Sequence, residues 1–293
     1  GRAGGCGSVV ARGGGCGKEG LDGGGVGRGG IDMRLRSLYK FVLTGEKDNT
    51  VYALNRGYEN PLITRFENQL PVGVKVLNVP EQLSAKELAS VEAVAWDGEP
   101  DAEKLFLRAL YDYDGKQFNS SLNYYGEAIE KAEDEAAGYN ALYSAFYHLN
   151  RGVLRAEMID FISSIESNVQ VLSMDDSCKT RARVKDQVIR QYDYTDAIED
   201  MKKAARMVPD LPYVYYNLGN LYCLSSEHIS SIENYTKAID LYPYMGDAYF
   251  NRGLVLIYLK DKEKGCIDLS RAGELGVQDA YGVIKKYCEE ENE

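Results

Sequence analysis

Residues 212–243 read PYVYYNLGNLYCLSSEHISSIENYTKAIDLYP, and residues 246–277 read GDAYFNRGLVLIYLKDKEKGCIDLSRAGELGV. Laid over each other at an offset of 34 residues, the two lines match Tyr215 with Tyr249, Asn217 with Asn251 and Gly219 with Gly253. Ala204, Ala238 and Ala272 carry the ladder one step upstream, and Pro209, Pro243 and Val277 form a second rung. Independent helices would not keep one register over three segments. A fixed period of roughly 20–50 residues is the mark of a solenoid of stacked units.

The residue types at the matched positions have physical roles. Gly219 and Gly253, with Ser231 and Gly265, are small enough for two antiparallel helices to approach closely, and Tyr215 and Tyr235 fill the space beside that contact. Pro243 ends the second helix, because proline cannot continue it and biases the preceding residue away from helix. The order Tyr215, Leu218, Gly219, Tyr222, Ser231, Tyr235, Ala238, Pro243 resembles the tetratricopeptide repeat (TPR) family pattern. The next unit reads Tyr249, Arg252, Gly253, Leu256, Gly265, Leu269, Ala272, Val277, departing from it at Arg252 and Val277. The resemblance implies an all-α, right-handed helical-hairpin solenoid. The stretch AGELGVQDA at residues 272–280 is similar to the inter-unit turn of Sel1-like repeats.

Upstream, Ala197, Met201, Ala204 and Pro209 mark a good second helix whose partner at 178–190 is charged and lacks the glycine, 136–149 with 153–166 read as a helical pair with weak motif match, and Leu105, Ala109, Ser121, Tyr125 and Ala128 restore the spacing. The expectation is an array over residues 101–290 of about five units, 102–135, 136–170, 178–211, 212–245 and 246–278, closed by a capping helix at 279–288. Polar caps suit such stacks.

Two other regions precede the array. Residues 1–30 hold 15 glycines and almost no large apolar residue, so they bury too little to offset chain entropy and are expected to be a disordered leader. The chain begins with Gly rather than Met, which is read as a fragment, truncated at its N-terminus, or as a non-native leader. Residues 31–100 are expected to form a small β or α+β appendage. Residues 38–44 and 50–55 read as a hairpin across the turn-like 45–49, residues 71–80 as an edge strand between prolines, and Ser84 with Glu87 as a capping box opening a helix to about Ala95. Residues 60–71, NPLITRFENQLP, together with KKYC at 285–288, resemble a group of TPR proteins from Bacteroidetes.

Composition excludes several functions. A net charge of −11 disfavours nucleic acid and anionic membranes as partners. No apolar run reaches the roughly 18 residues of a membrane helix. With His148 and His228 the only histidines and no Cys-x-x-Cys pair, no metal-ligand spacing can be drawn and no cofactor is expected. Neither histidine has a triad around it, both are read as surface or cap residues, and acidic pairs such as Asp112/Asp114 as turns. The expectation is therefore no catalytic residue and no enzyme. Cys223 and Cys266 fall at core positions and are read as buried thiols. The Sel1-like resemblance would instead pair Cys266 with Cys288, though the spacing differs from that family's.

In TPR solenoids the first helix of each unit lines the concave groove. This places Tyr213, Tyr216, Asn217 and Asn220 of one unit, Asp247, Phe250, Asn251 and Leu254 of the next, and Lys179, Arg183 and Asp186 of the preceding one towards a partner. Asn220 and Asn251 resemble the asparagines that hold a peptide backbone in chaperone-binding TPRs; an amide both donates and accepts. Tyr216 stands where a cation would pair with a terminal carboxylate, so a carboxylate clamp is not expected. Asn217 and Asn251 have a plainer reading, as bonds between adjacent units. The leading expectation is a non-catalytic scaffold binding a protein or peptide segment in the groove. The alternative is a spacer or assembly part of a larger envelope-associated protein, its groove filled by residues 31–80. Compartment is left between cytoplasm and cell envelope.

Overall fold

A computed structural model describes residues 33–43, 74–79, 81–134, 141–172 and 192–289. Among them are two strands, β1 (Tyr39–Leu43) and β2 (Val74–Asn78), followed by ten helices: α1 (Ala85–Ala95), α2 (Ala102–Asp114), α3 (Phe118–Asp134), α4 (Ala141–Leu172), α5 (Thr195–Met207), α6 (Pro212–Leu224), α7 (His228–Leu241), α8 (Gly246–Tyr258), α9 (Lys262–Glu274) and α10 (Asp279–Tyr287). The leader at 1–30, the segment at 60–71 and the helix expected over 178–190 lie outside the described residues.

The helices form a TPR-type solenoid of antiparallel hairpins. Close approach is enforced by small residues where the two lines of sequence match. A Cβ added to Gly219 would fall 2.5 Å from the Tyr235 ring, and one on Gly265 would fall 2.8 Å from the Gly253 carbonyl oxygen. Ser231 Oγ instead donates to the Gly219 carbonyl at 2.8 Å, and Ser121 Oγ donates to Ala109 in the same way at 2.8 Å. Each of these hairpins turns through one left-handed residue, Lys116, Ser226 or Lys260. Helix α1 starts as expected: Ser84 Oγ accepts from the Glu87 N–H, and the Glu87 carboxylate accepts from the Ser84 N–H.

Several expectations are corrected. Residues 136–149 and 153–166 are not a hairpin; α4 is one helix of 32 residues. The described partner of α5 is α4, where a Cβ on Gly152 would lie 3.0 Å from the Ala197 carbonyl oxygen. The contact is braced by charge. Asp200, 1 % exposed, accepts from Arg151 at 2.7 and 3.0 Å and from Arg155 at 2.7 Å, and lies 3.3 Å from His148 Nδ1. Burial alone would raise the Asp200 pKa, but the hydrogen bonds from His148 and Arg151 and the two guanidinium charges hold it below the ordinary carboxylate value. His148 is thus buried rather than at the surface. Arg252 makes the equivalent brace, to Asp268 at 2.7 and 2.9 Å. Cys223 is buried, whereas Cys266 is bonded to Cys288, tying α9 to α10.

The turn at 45–49 and the strand at 50–55, expected to form a hairpin with residues 38–44, lie outside the described residues. β1 pairs antiparallel with β2, Tyr39 opposite Asn78 and Leu43 opposite Val74. A two-stranded sheet is marginal in water by itself. Here Leu38, Phe41, Val42 and Leu43 are buried in the same cluster as residues of α1 to α8. The strands are therefore packed into the repeats.

Candidate functional site

Helices α4, α6 and α8 are the first helices of successive hairpins, and each turns at least one asparagine towards the chain running from Arg36 into β1. Within an antiparallel strand, alternate residues direct both N–H and C=O to the same edge. Lys40 and Val42 face β2; Tyr39 and Phe41 face the helices. Asn217 Oδ1 accepts from the Tyr39 N–H at 2.9 Å while its Nδ2 donates to the Tyr39 carbonyl at 2.8 Å. Asn150 repeats this at Phe41, accepting at 2.9 Å and donating at 2.6 Å. Asn251 does the same at Arg36, accepting at 2.7 Å and donating at 3.2 Å. Asn220 Nδ2 adds a bond to the Arg36 carbonyl at 2.9 Å, and Tyr216 donates its hydroxyl to the Arg36 and Ser37 carbonyls, each at 3.0 Å.

These side chains are themselves held. Tyr235 donates to Asn220 Oδ1 at 2.6 Å, and Asn251 Nδ2 reaches the same oxygen at 2.8 Å. Asn217, Asn220, Asn251 and Tyr216 are all buried. Burial pushes the Tyr216 and Tyr235 hydroxyls well above the ordinary tyrosine pKa, so they act as neutral donors.

Side-chain contacts overlie the backbone bonds. Asp247 accepts from Arg36 Nε at 3.0 Å and from the Tyr39 hydroxyl at 2.6 Å; Arg36 Nη1 also reaches Asp279 of α10 at 2.8 Å. Burial works against the Arg36 charge, and Asp247 more than offsets it, so its pKa is raised. Burial, then the Asp247 charge, raises the pKa of Tyr39. The Tyr39 ring lies 4.8 Å from Tyr213 and 5.1 Å from Tyr216, and Phe41 stacks on Phe146 at 4.2 Å. An open cleft of about 470 Å³ borders Arg36 and Asp247 and extends to Gln278 and Asp279.

Of the residues singled out in the sequence, Tyr213, Tyr216, Asn217, Asn220, Asp247 and Asn251 meet around residues 36–41. Phe250 and Leu254 lie below them, buried in a second cluster against which Met33 and Leu35 pack. Lys179, Arg183 and Asp186 lie outside the described residues. Asn150 and Phe146 were missed. Their signal was present: Asn150 and Gly152 stand 67 residues before Asn217 and Gly219, one short of two periods. Among the described residues no group of three or more His, Cys, Asp or Glu is placed to hold a metal ion, and no helix is long and apolar enough to cross a membrane.

Fold and site together define a TPR-type repeat protein whose groove asparagines hold an extended segment of the same chain. No protein-family model matches the chain. Over 88 residues it is 32% identical to a UDP-N-acetylglucosamine--peptide N-acetylglucosaminyltransferase of Giardia intestinalis, a match spanning 30% of this chain and 6% of that enzyme. Among solved structures it is similar to a thermophilic TPR protein of Thermus thermophilus, at 13% identity and a TM-score of 0.47, covering 69% of this chain and 88% of that one. It is also similar to MamA of Desulfovibrio magneticus RS-1, at 13% identity and a TM-score of 0.44, covering 66% of this chain and 85% of that one.

Proposed function

We propose that this chain is a non-catalytic protein-interaction scaffold that binds an extended segment in its concave groove, with its own residues 36–41 as the resident occupant. The observation that carries the reading is the paired donor and acceptor bonding of Asn150, Asn217 and Asn251, each to one backbone residue. An amide that only braced adjacent helices would have no reason to face both polar groups of a single extended residue. With 6% of the Giardia enzyme spanned, its transferase activity is not carried over to this chain.

An assembly role with the groove permanently closed is favoured by a different observation, the shared burial of β1 with the helices. Amide hydrogen exchange separates the two. If the groove is a binding site, Asn217→Ala with Asn251→Ala speeds exchange at residues 36–41 and leaves the helix amides of α6 and α8 protected. If strand and helices are one inseparable body, the same change speeds exchange in both together. If exchange changes in neither, the asparagines do not hold the segment and the proposal fails.

A further inference from the structure

Building on that reading, we infer that the groove selects its occupant by side chain: it takes a partner strand with an arginine, a tyrosine three positions later and a phenylalanine two positions after that. The asparagine bonds go to backbone groups that every residue except proline possesses, so they cannot discriminate between sequences. Discrimination comes from three places.

At the first, Arg36 meets Asp247 at 3.0 Å through Nε and Asp279 at 2.8 Å through Nη1. A planar guanidinium spans two carboxylates on different helices; a lysine offers one point charge. At the second, the Tyr39 ring sits beside Tyr213 and Tyr216 while its hydroxyl donates to the other Asp247 oxygen. Phenylalanine would fill the same space and leave that oxygen short of a donor. Asp247 thus reads two of the three positions from a buried site, where an uncompensated carboxylate is costly. At the third, Phe41 is fully buried, stacked on Phe146 and edge-on to Tyr213 at 5.8 Å. The intervening Lys40 turns away, its Nζ bonded to the Val79 and Glu81 carbonyls. Position five of the pattern is therefore not read by the groove.

The resident segment is covalently linked and competes at a high effective concentration, so a second strand enters only when the resident hold is weakened. Arg36 is the place for that to begin: its side chain is 37 % exposed and borders the open cleft.

The test uses a fluorescent peptide with the sequence of residues 33–43, MRLRSLYKFVL, and the full chain carrying Arg36→Ala and Tyr39→Ala. The expected result is binding at least about tenfold tighter than to the unmodified chain, and at least about tenfold weaker when glutamate replaces the second arginine of the peptide, as loss of one partner of a buried charge pair implies. Adding Asp247→Asn to the protein narrows the difference between the two peptides, and Asp247→Asn with Asp279→Asn removes it. Equal affinity for the arginine and glutamate peptides overturns the inference, as does no binding by the folded variant. Should the variant not fold, Arg36→Glu in the otherwise unmodified chain is read by exchange at the Tyr39 and Phe41 amides, which speeds up if Asp247 reads charge and stays unchanged if it does not. In the unmodified chain, free exchange at the Arg36, Tyr39 and Phe41 amides would bring down the occupied-groove reading itself. Protected amides with charge-blind peptide binding would bring down only the selectivity.

Discussion

Replacing Asn217 with alanine puts a number on the groove. The side chain is fully buried, and its bonds to Tyr39, at 2.9 and 2.8 Å, serve one backbone donor and one backbone acceptor. Alanine leaves both without a partner on that edge. A buried polar group left unsatisfied costs about 1–3 kcal/mol, so the loss should total about 3 kcal/mol, and less if water enters the space. That is a large part of the roughly 5–15 kcal/mol by which a domain is stable. Urea unfolding should show it as a lower midpoint, with exchange at the Tyr39 amide accelerated in native conditions. Asn234→Ala is the control. Asn234 bonds only within its own helix, to the Ser230 carbonyl at 2.8 Å, and its loss should cost no more than about 0.5 kcal/mol. If the two variants unfold at the same urea concentration, Asn217 does not hold β1 and the reasoning is wrong.

Three further outcomes are expected. Gly219→Ala should destabilise by about 1–3 kcal/mol, because its Cβ would lie 2.5 Å from the buried Tyr235 ring; coincident thermal melts of mutant and parent would count against this. Reducing the Cys266–Cys288 bond, which closes a sequence separation of 22, should cost about 3 kcal/mol of unfolding free energy and lower the Tm, and a Cys288→Ser variant should be insensitive to reductant; an unchanged Tm on reduction would refute it. Burial pushes the Lys40 ammonium down to about 8, below its unfolded value, so between these two pKa values the unfolded chain binds more protons and stability should rise with pH. Below about pH 8 the penalty is fully present, on the order of 3 kcal/mol, and a Lys40→Met chain should lack the rise; parallel pH profiles would refute it.

The fold was legible because the residues that set helix–helix distance recur with the period. Gly219, Gly253, Ser231 and Gly265 could be placed at their contacts from spacing alone. The positions of Asn217, Asn220 and Asn251 on the first helices could be placed for the same reason. What failed were readings that depended on the nearest neighbour in sequence. The pairing of β1 with β2 joins segments about 35 residues apart, a distance over which local turn signals carry no information. Residues 136–166 were split into two helices, although nothing in that stretch compels a break, and the split hid the fact that Asn150 and Gly152 belong to the periodic set. His148 looked exposed because its partner Asp200 is 52 residues away. Tyr216 stands where a clamp cation would be expected, and its hydroxyl instead donates to the Arg36 and Ser37 carbonyls just before β1. Asp247, placed in the groove by its register alone, is buried there and accepts from both Arg36 and the Tyr39 hydroxyl, which the sequence does not announce.

The spacing of the held residues acts as a vernier. Phe41 and Tyr39 are two positions apart, about 6.7 Å along a strand, while Tyr39 and Arg36 are three apart, about 10 Å. Packed helices stand about 8–10 Å from one another, more than the two-residue step and close to the three-residue one. A regular strand would turn its polar groups away at every odd step, so the chain can follow the helices from Tyr39 to Arg36 only by leaving the strand, and β1 begins at Tyr39. Two scales of unequal division coincide at few marks. A segment shifted by one residue would bring its polar groups to the wrong side at Asn217 and Asn150 together. The mismatch that interrupts the strand therefore also fixes its register.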